Sequence, residues 1–496
     1  MHLPSILKPA LGLLVATSQA WAFFRLPCAA PIVIQRADPI ISPGQVSGHV
    51  HTIVGGNGFG FQMDFAATQR STCSSCLVKE DLSNYWVPVS SQKVPFCLLL
   101  SRFHNPQPTT HFSLHKQRTD PRDQDYPHMV AFPNEFRMVA GDPFLRSYNA
   151  SSLAQKAITW ACLGTSTPES GGMPNIKCPD GLRAQVFFPS CWDGKNVDTP
   201  DHQSHVAYPD GVTVGACPAS HPKRLISIFY EIIFNTPNFQ WSGDHHPFVL
   251  AQGDPTGYGF HGDFVNGWKE GVLQKAINDC NIESGVIEEC KHFSFITNQV
   301  AQSCRVPASI DEQTSGTLDK LPGCNPVQPG PDPAKPQSGC GAPTTIGKPH
   351  FPFTDFTGSK KFAYTGCALD TPGQARTLQG ASLERGDMTI DSCIDFCVQQ
   401  GFDLAGVEYG KQCFCGHPGD VANDRKPVPG LLRDCSQPCS GNPSQVCGNF
   451  GLLSLYQKCG SSGCQNVQLT FLNGSAPGHQ TATGHQVRDS GRMFQY

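Results

Sequence analysis

The chain has 496 residues, a net charge of −4, 49 glycines, 42 prolines and 23 cysteines. It has no dense Lys/Arg block, which excludes a nucleic-acid partner and a polybasic membrane patch. The glycine and proline content excludes a helical bundle and predicts a loop-rich, mostly β protein, with α+β as the alternative class. The length allows a large core and at least one further unit.

In chain order, Lys8, an apolar centre at 11–16 and the small-residue site Ala20-Trp21-Ala22 have the form of a secretory signal peptide over residues 1–22. No later apolar run reaches the ~18 residues of a membrane span. The expected location is therefore secreted, extracellular or cell wall, with no membrane partner. The cysteines suit that oxidising route. Their odd number leaves at least one unpaired or intermolecular, and their pairing cannot be deduced. Cys73-Ser74-Ser75-Cys76 has zinc-like spacing but no second half-site, so disulfides are expected there. Asn149-Ala150-Ser151 and Asn473-Gly474-Ser475 are glycosylation acceptors.

A first domain is expected over 23–304. Its run Gly48-His49-Val50-His51 begins a strand that alternates up to Gly55-Gly56, which puts His49 and His51 on one face. The densest polar stretch is 187–209, with Asp193, Asp201, His202, His205 and Tyr208 on turns that follow a short buried strand. Residues 225–234 read as a stronger strand. Ile226, Ile228, Tyr230, Ile232 and Phe234 form its core face, and Glu231 lies opposite. A glycine-rich loop with Gly253, Gly257, Gly259 and Gly262 then carries His261 and Asp263, and a short amphipathic helix follows around Val272 to Cys280. Residues 305–360 are proline-rich and read as a semi-rigid linker. A cysteine-dense module is expected over 361–457 and a poorly ordered tail over 458–496.

Several ordered strings in the first domain resemble a secreted fungal family known only as a domain of unknown function. They are Gly48-His49-Val50-His51, Phe188-Pro189-Ser190-Cys191-Trp192-Asp193-Gly194-Lys195-Asn196, Asp201-His202-Gln203-Ser204-His205 and Gly259-Phe260-His261-Gly262-Asp263-Phe264-Val265-Asn266-Gly267-Trp268. The resemblance covers about 25–290 and implies no particular activity. Residues 90–128, which include Cys97, depart from that family's pattern. The second module resembles a WSC domain, a fungal wall-associated carbohydrate-binding type, through Tyr364-Thr365-Gly366-Cys367, Cys393, Cys397, Cys413-Phe414-Cys415-Gly416, Cys435, Cys439 and Cys447-Gly448. Its helix is expected to start near Thr389 and close at Gly401, with Cys393 and Cys397 one turn apart. Tyr409 and Phe414 are the aromatic residues suited to stacking on sugar rings, unless they fill the small core.

His49, His51, Asp193, Asp201, His202, His205, Tyr208, Glu231, His261 and Asp263 are the candidates for chemistry. A hydrolase would use two of the carboxyls, whereas a lyase would use His202, His205 and Tyr208 as base and acid. The sequence requires no cofactor; a metal, if bound, would draw on His49, His51, His202, His205 and His261. A cupin pattern is excluded because Gly55-Gly56-Asn57 stands where a glutamate belongs. The expected whole is a disulfide-bonded, sandwich-like domain joined to a small cysteine-rich module, which binds cell-wall polysaccharide (glucan, chitin or a uronate-containing glycan) and cleaves it as hydrolase or lyase. The alternative is a non-catalytic wall or adhesion lectin, or a structural protein.

Overall fold

The computed structural model describes residues 22–467 except 97–99, 105–107, 117–121, 238–244, 281, 283, 315–316, 348–352, 371–374, 428–434 and 436. The expected signal peptide (Ala22 apart), Cys97 and the acceptor Asn473 lie outside the described residues.

Alternating strands build two five-stranded sheets. One runs Val33–Gln35, His51–Gly55, Asn84–Pro88, His261–Val265 and Arg137–Gly141 from edge to edge. The other runs Ala22–Pro27, Pro108–Lys116, Ser227–Phe234, Leu182–Phe187 and Ile158–Cys162. Every pairing within them is antiparallel. Val54, Tyr85, Val87, Met138, Ala140 and Phe264 from the first sheet share one core with Ile228, Tyr230, Ile232 and Phe234 from the second. The architecture is the expected sandwich, and the even-numbered face of Ser227–Phe234 is its floor. Two smaller four-stranded sheets flank it.

Period-two geometry gives the first sheet a second buried face. Ile53, Trp86, Val139 and Val265 point away from the sandwich and pack under Ile40, Phe59, Cys73 and Cys304. His51 and Ile53 share a face, as do His261, Asp263 and Val265, so the histidines belong to this outer layer. Residues 305–334, read from composition as a spacer, lie along that layer instead. Val306 N donates to Ile32 O, Gln328 N to Gly253 O and Ala334 N to Phe144 O, while Glu312 pairs with the buried Arg36. Proline fixes φ and removes a donor, but the residues between the prolines keep theirs. A proline-dense strap is therefore bonded to the domain by those N–H groups and by one two-residue strand, Thr317–Leu318, at a sheet edge.

Eleven disulfides join the described cysteines. Cys73 pairs with Cys304 and Cys76 with Cys28, so the zinc-like spacing holds two separate bridges. In the C-terminal module the helix Ile390–Gln399 is capped by Thr389, whose side chain accepts from Ser392 N. Cys393 and Cys397 staple that helix to the strand Gln412–Gly416 through Cys413 and Cys415. The module continues past the expected boundary at 457: Asn466 Oδ1 accepts from Tyr364 N and Val467 N donates to Tyr364 O.

Candidate functional site

His49, at the entrance to its strand, and His51, on the strand, meet His261 from the strand two positions across the sheet. Ring centroids are 4.3 Å apart for His49 and His51, 4.9 Å for His49 and His261, and 5.7 Å for His51 and His261. One ring nitrogen from each lies within 4.8 Å of the other two. His51 and His261 are buried, whereas His49 is part-exposed.

Backbone carbonyls fix the tautomers of the two buried rings. His51 Nδ1 donates to Ala37 O at 3.0 Å and His261 Nδ1 to Gly259 O at 2.9 Å. Both Nε2 lone pairs are thereby aimed inward. His49 Nε2 approaches His261 Nε2 at 3.0 Å, while buried His51 Nε2 has no hydrogen-bond partner among the described residues. Burial, and then the neighbouring imidazoles, push His49 and His51 well below the usual histidine range; burial brings His261 down to about 4. The rings are neutral at neutral pH.

The glycine-rich loop is organised by Asp254. Its Oδ1 accepts from Thr256 N and Thr256 Oγ1, and its Oδ2 from Gly259 N at 2.7 Å. Gln252 Nε2 donates to the same Gly259 carbonyl that orients His261. Gly253 has φ +75°, and a Cβ there would stand 2.2 Å from Pro326 O of the strap. The close approach of strap to loop therefore requires glycine.

Asp263 lies one pleat from His261 on the same face and is buried. Neither of its carboxyl oxygens has a hydrogen-bond partner among the described residues. Desolvation, then Asp38, raises it well above the carboxylate range, which favours its neutral form. Asp38 is itself raised by burial, against N–H donation from Ile41 and Ile40 and the charge of His202. His202 reaches this layer because its loop pairs with the sheet edge: Val139 N donates to His202 O. His202 has φ +56°, a left-handed conformation uncommon for a residue with a Cβ, and its Nδ1 lies 2.7 Å from Asp198 Oδ1.

The remaining candidates are held elsewhere. His205 donates Nε2–H to Arg137 O and its Nδ1 lies 3.0 Å from Thr199 Oγ1, so both ring nitrogens have partners and the ring is buried. Asp193 accepts from Lys195 N and Asn196 N as a turn former. Asp201 accepts from Gln203 N, Ser204 N, Ser204 Oγ and Thr199 Oγ1, and these bonds hold it well below the usual carboxylate range. Tyr208 donates to Phe187 O, and burial raises its phenol. Glu231 is on the other sheet, ion-paired to Arg183. His202 and His205 are thus outside the three-imidazole group, and the expected metal set narrows to His49, His51 and His261. Asp38, Asp198 and Arg146 complete the region but were not among the sequence candidates; the i, i+4 spacing of Asp198 and His202 was the one available signal.

In the C-terminal module Tyr409 is exposed at the tip of the hairpin between Leu404–Glu408 and Gln412–Gly416. With φ +50° at Tyr409 and +71° at Gly410, the turn has the type I′ form that normally takes Asn-Gly. Phe450, 67 % exposed, stands edge-on to Tyr409 with ring centroids 6.0 Å apart. Phe414 is half-buried with the Arg376 guanidinium 4.4 Å over its ring. Arg376 also bridges Asp370 and Glu408, both buried. Burial, then Asp370, raises Glu408 to about 7.

That Glu408 shift carries a pH dependence. The folded module holds a proton that the unfolded chain releases near 4.5, so stability is greatest below about 4.5 and falls as pH rises to about 7. The loss is expected to be on the order of 2 kcal/mol, read as weaker amide-exchange protection of Leu404–Glu408. Glu408→Gln is expected to flatten the profile; a wild-type profile flat or rising over this window would contradict it.

A disulfide-bonded sandwich with a histidine-bearing outer layer, followed by a small stapled module, defines a two-domain protein. Residues 38–268 match the domain of unknown function DUF1996, and residues 364–449 match the WSC domain. The chain therefore carries a DUF1996 domain followed by a WSC domain, a carbohydrate-binding type of module. It is 42 % identical over 94 residues to Kremen protein 2 of Mus musculus, which is 19 % of this chain and 20 % of that protein. It is 42 % identical over 99 residues to a WSC domain-containing protein of Arthroderma benhamiae (19 % and 10 %), and 37 % identical over 94 residues to xylosyltransferase oxt of Drosophila melanogaster (18 % and 10 %). The chain thus spans a tenth to a fifth of these relatives' lengths. Among the described residues, no helix is long and apolar enough to cross a membrane.

Proposed function

We propose that the protein is secreted and acts at cell-wall polysaccharide, the WSC module docking on glycan and the N-terminal domain cleaving it at the histidine layer. The carrying observation is the convergence of His49, His51 and His261 on one sheet whose edge strand also holds the His202–Asp198 pair through Val139 N, in a domain tethered to a glycan-binding type of module. Tethering raises the local concentration of substrate for a site that need not itself bind tightly. Tyr409 and Phe450 are the sugar platform: an aromatic ring held in a left-handed turn is strain maintained for exposure. At the first domain His202, oriented by Asp198, is the general base, and Asp263, whose burial favours the neutral form, is the acid. This arrangement favours lyase-type cleavage over a two-carboxylate hydrolase, because Asp193, Asp201 and Glu231 are committed to local partners. The same commitment favours the second reading, a non-catalytic lectin or scaffold.

The test incubates the full chain with insoluble glucan, chitin and a uronate-containing glycan. Tyr409→Ala with Phe450→Ala is expected to lower retention about tenfold. His202→Ala is expected to lower product release roughly 10²–10⁴-fold while retention is kept. Retention with no product from any of the three glycans would sink the catalytic reading and leave the lectin.

A further inference from the structure

The geometry points to a mononuclear transition-metal site formed by His49, His51 and His261, taking Zn²⁺ or Cu²⁺ through three imidazole nitrogens. The donor set is all nitrogen, which suits these ions and not Ca²⁺ or Mg²⁺, whose sites are built from oxygens.

Three observations carry it. First, two rings are locked by outer hydrogen bonds, His51 to Ala37 O and His261 to Gly259 O, the arrangement that orients imidazole ligands from behind. The second lock is itself braced, since Gln252 and Asp254 fix the Gly259 peptide from its carbonyl and N–H sides. Second, a hydrogen bond between His49 Nε2 and His261 Nε2 satisfies those two atoms but leaves His51 Nε2 buried with no partner among the described residues. An orphaned group of that kind is destabilising unless something engages it. An ion seated among the three nitrogens, with the His49 proton moved to its Nδ1, engages all of them at once. Third, two of the ligands are buried and the third, His49, is part-exposed. A three-protein-ligand site with one side toward solvent keeps a position for water or substrate, unlike a closed structural site. The other triad of potential ligands, Cys393, Cys397 and Cys413, is taken up in disulfides.

The inference deepens the proposed cleavage site, but uptake of an ion is read without any glycan, so the two fail separately. The full chain is stripped with chelator and titrated calorimetrically with Zn²⁺ and with Cu²⁺. One ion per chain is expected for the wild type. His49→Ala and His261→Ala should each weaken uptake by more than about 100-fold, and His205→Ala, which removes a buried ring outside the group, should leave it unchanged. A variant that fails to fold is bypassed by the wild type loaded with Co²⁺, whose visible spectrum should report a nitrogen-ligated ion of low coordination number. No stoichiometric uptake by the wild type, a Co²⁺ spectrum of the hydrated ion, or equal loss in His205→Ala would overturn the site and leave the rings as a hydrogen-bonded cluster.

Discussion

Asp254→Ala is expected to destabilise the N-terminal domain by about 3–5 kcal/mol, the range for removing one partner of a buried ion pair. Arg146 Nε lies 3.6 Å from Asp254 Oδ1, and both side chains are fully buried. Arg146 is otherwise surrounded by carbonyls: it donates to Pro143 O, Leu145 O, Gln252 O and Gln328 O. Burial pulls its guanidinium down, with Asp254 and then Asp142 opposing. Removing Asp254 leaves that cation without its nearest counter-charge and strips the acceptor from Thr256 N, Thr256 Oγ1 and Gly259 N. The Gly259 peptide is then free to rotate, and the carbonyl holding His261 rotates with it. A loss of ion uptake larger than the loss of stability explains is the accompanying expectation, read on protein that is still folded. Asp254→Asn keeps one acceptor oxygen and is expected to lose less than the alanine variant. A change in urea midpoint equivalent to less than about 1 kcal/mol for the alanine variant would show that the carbonyls alone stabilise Arg146.

Asp254 shows what sequence could and could not convey. Its place in a glycine-rich loop was visible, but its role is set by Arg146, more than a hundred positions earlier, and by a strap that reads as a linker. The parts that followed from sequence are those governed by local periodicity. Alternation placed His49 with His51, and put Ile226, Ile228, Tyr230, Ile232 and Phe234 on a core face. Thr389 announced the helix of the C-terminal module. The sorting of polar residues was not legible. Asp193 and Asp201 are turn formers because a short carboxylate bonds its own downstream N–H groups, and a catalytic carboxylate has the same composition and loop setting. His205 differs from His51 only in whether its second nitrogen finds a carbonyl, which depends on Arg137 O across the sheet edge. Residues 305–334 read as a spacer because proline content reports the donors that are missing and is silent on those the intervening residues keep. Phe450 passed unnoticed because its exposure depends on the packing of the Tyr409 hairpin.

That strap carries the other large effect. Cys73→Ser with Cys304→Ser opens the largest loop closed by any described disulfide, with a sequence separation of 231. Chain entropy puts the expected loss at about 5 kcal/mol, against about 3 for opening Cys280–Cys290, whose separation is 10. Chain entropy is only part of what the bridge contributes. Cys73 and Cys304 pack in the outer layer with Ile53, Trp86 and Val265, so the bridge pins the strap where it covers the histidine-bearing face. Downstream of it Ser309 N donates to Gln35 Oε1, Gly323 N to Glu312 Oε1, and Asn325 Nδ2 to Gly48 O beside His49. Each bond is worth about 1 kcal/mol net and only once the strap is in place; the disulfide supplies the local concentration that lets them form together. The double variant is therefore expected to lose amide protection over 305–325 before the sandwich unfolds, and to leave His49 more exposed. The measurement is exchange-detected unfolding of the double variant beside Cys280→Ser/Cys290→Ser. Equal losses in the two, or full protection of 305–325 without the bridge, would show that the strap is held by its hydrogen bonds and by Leu318 and Leu321 against Val249 instead.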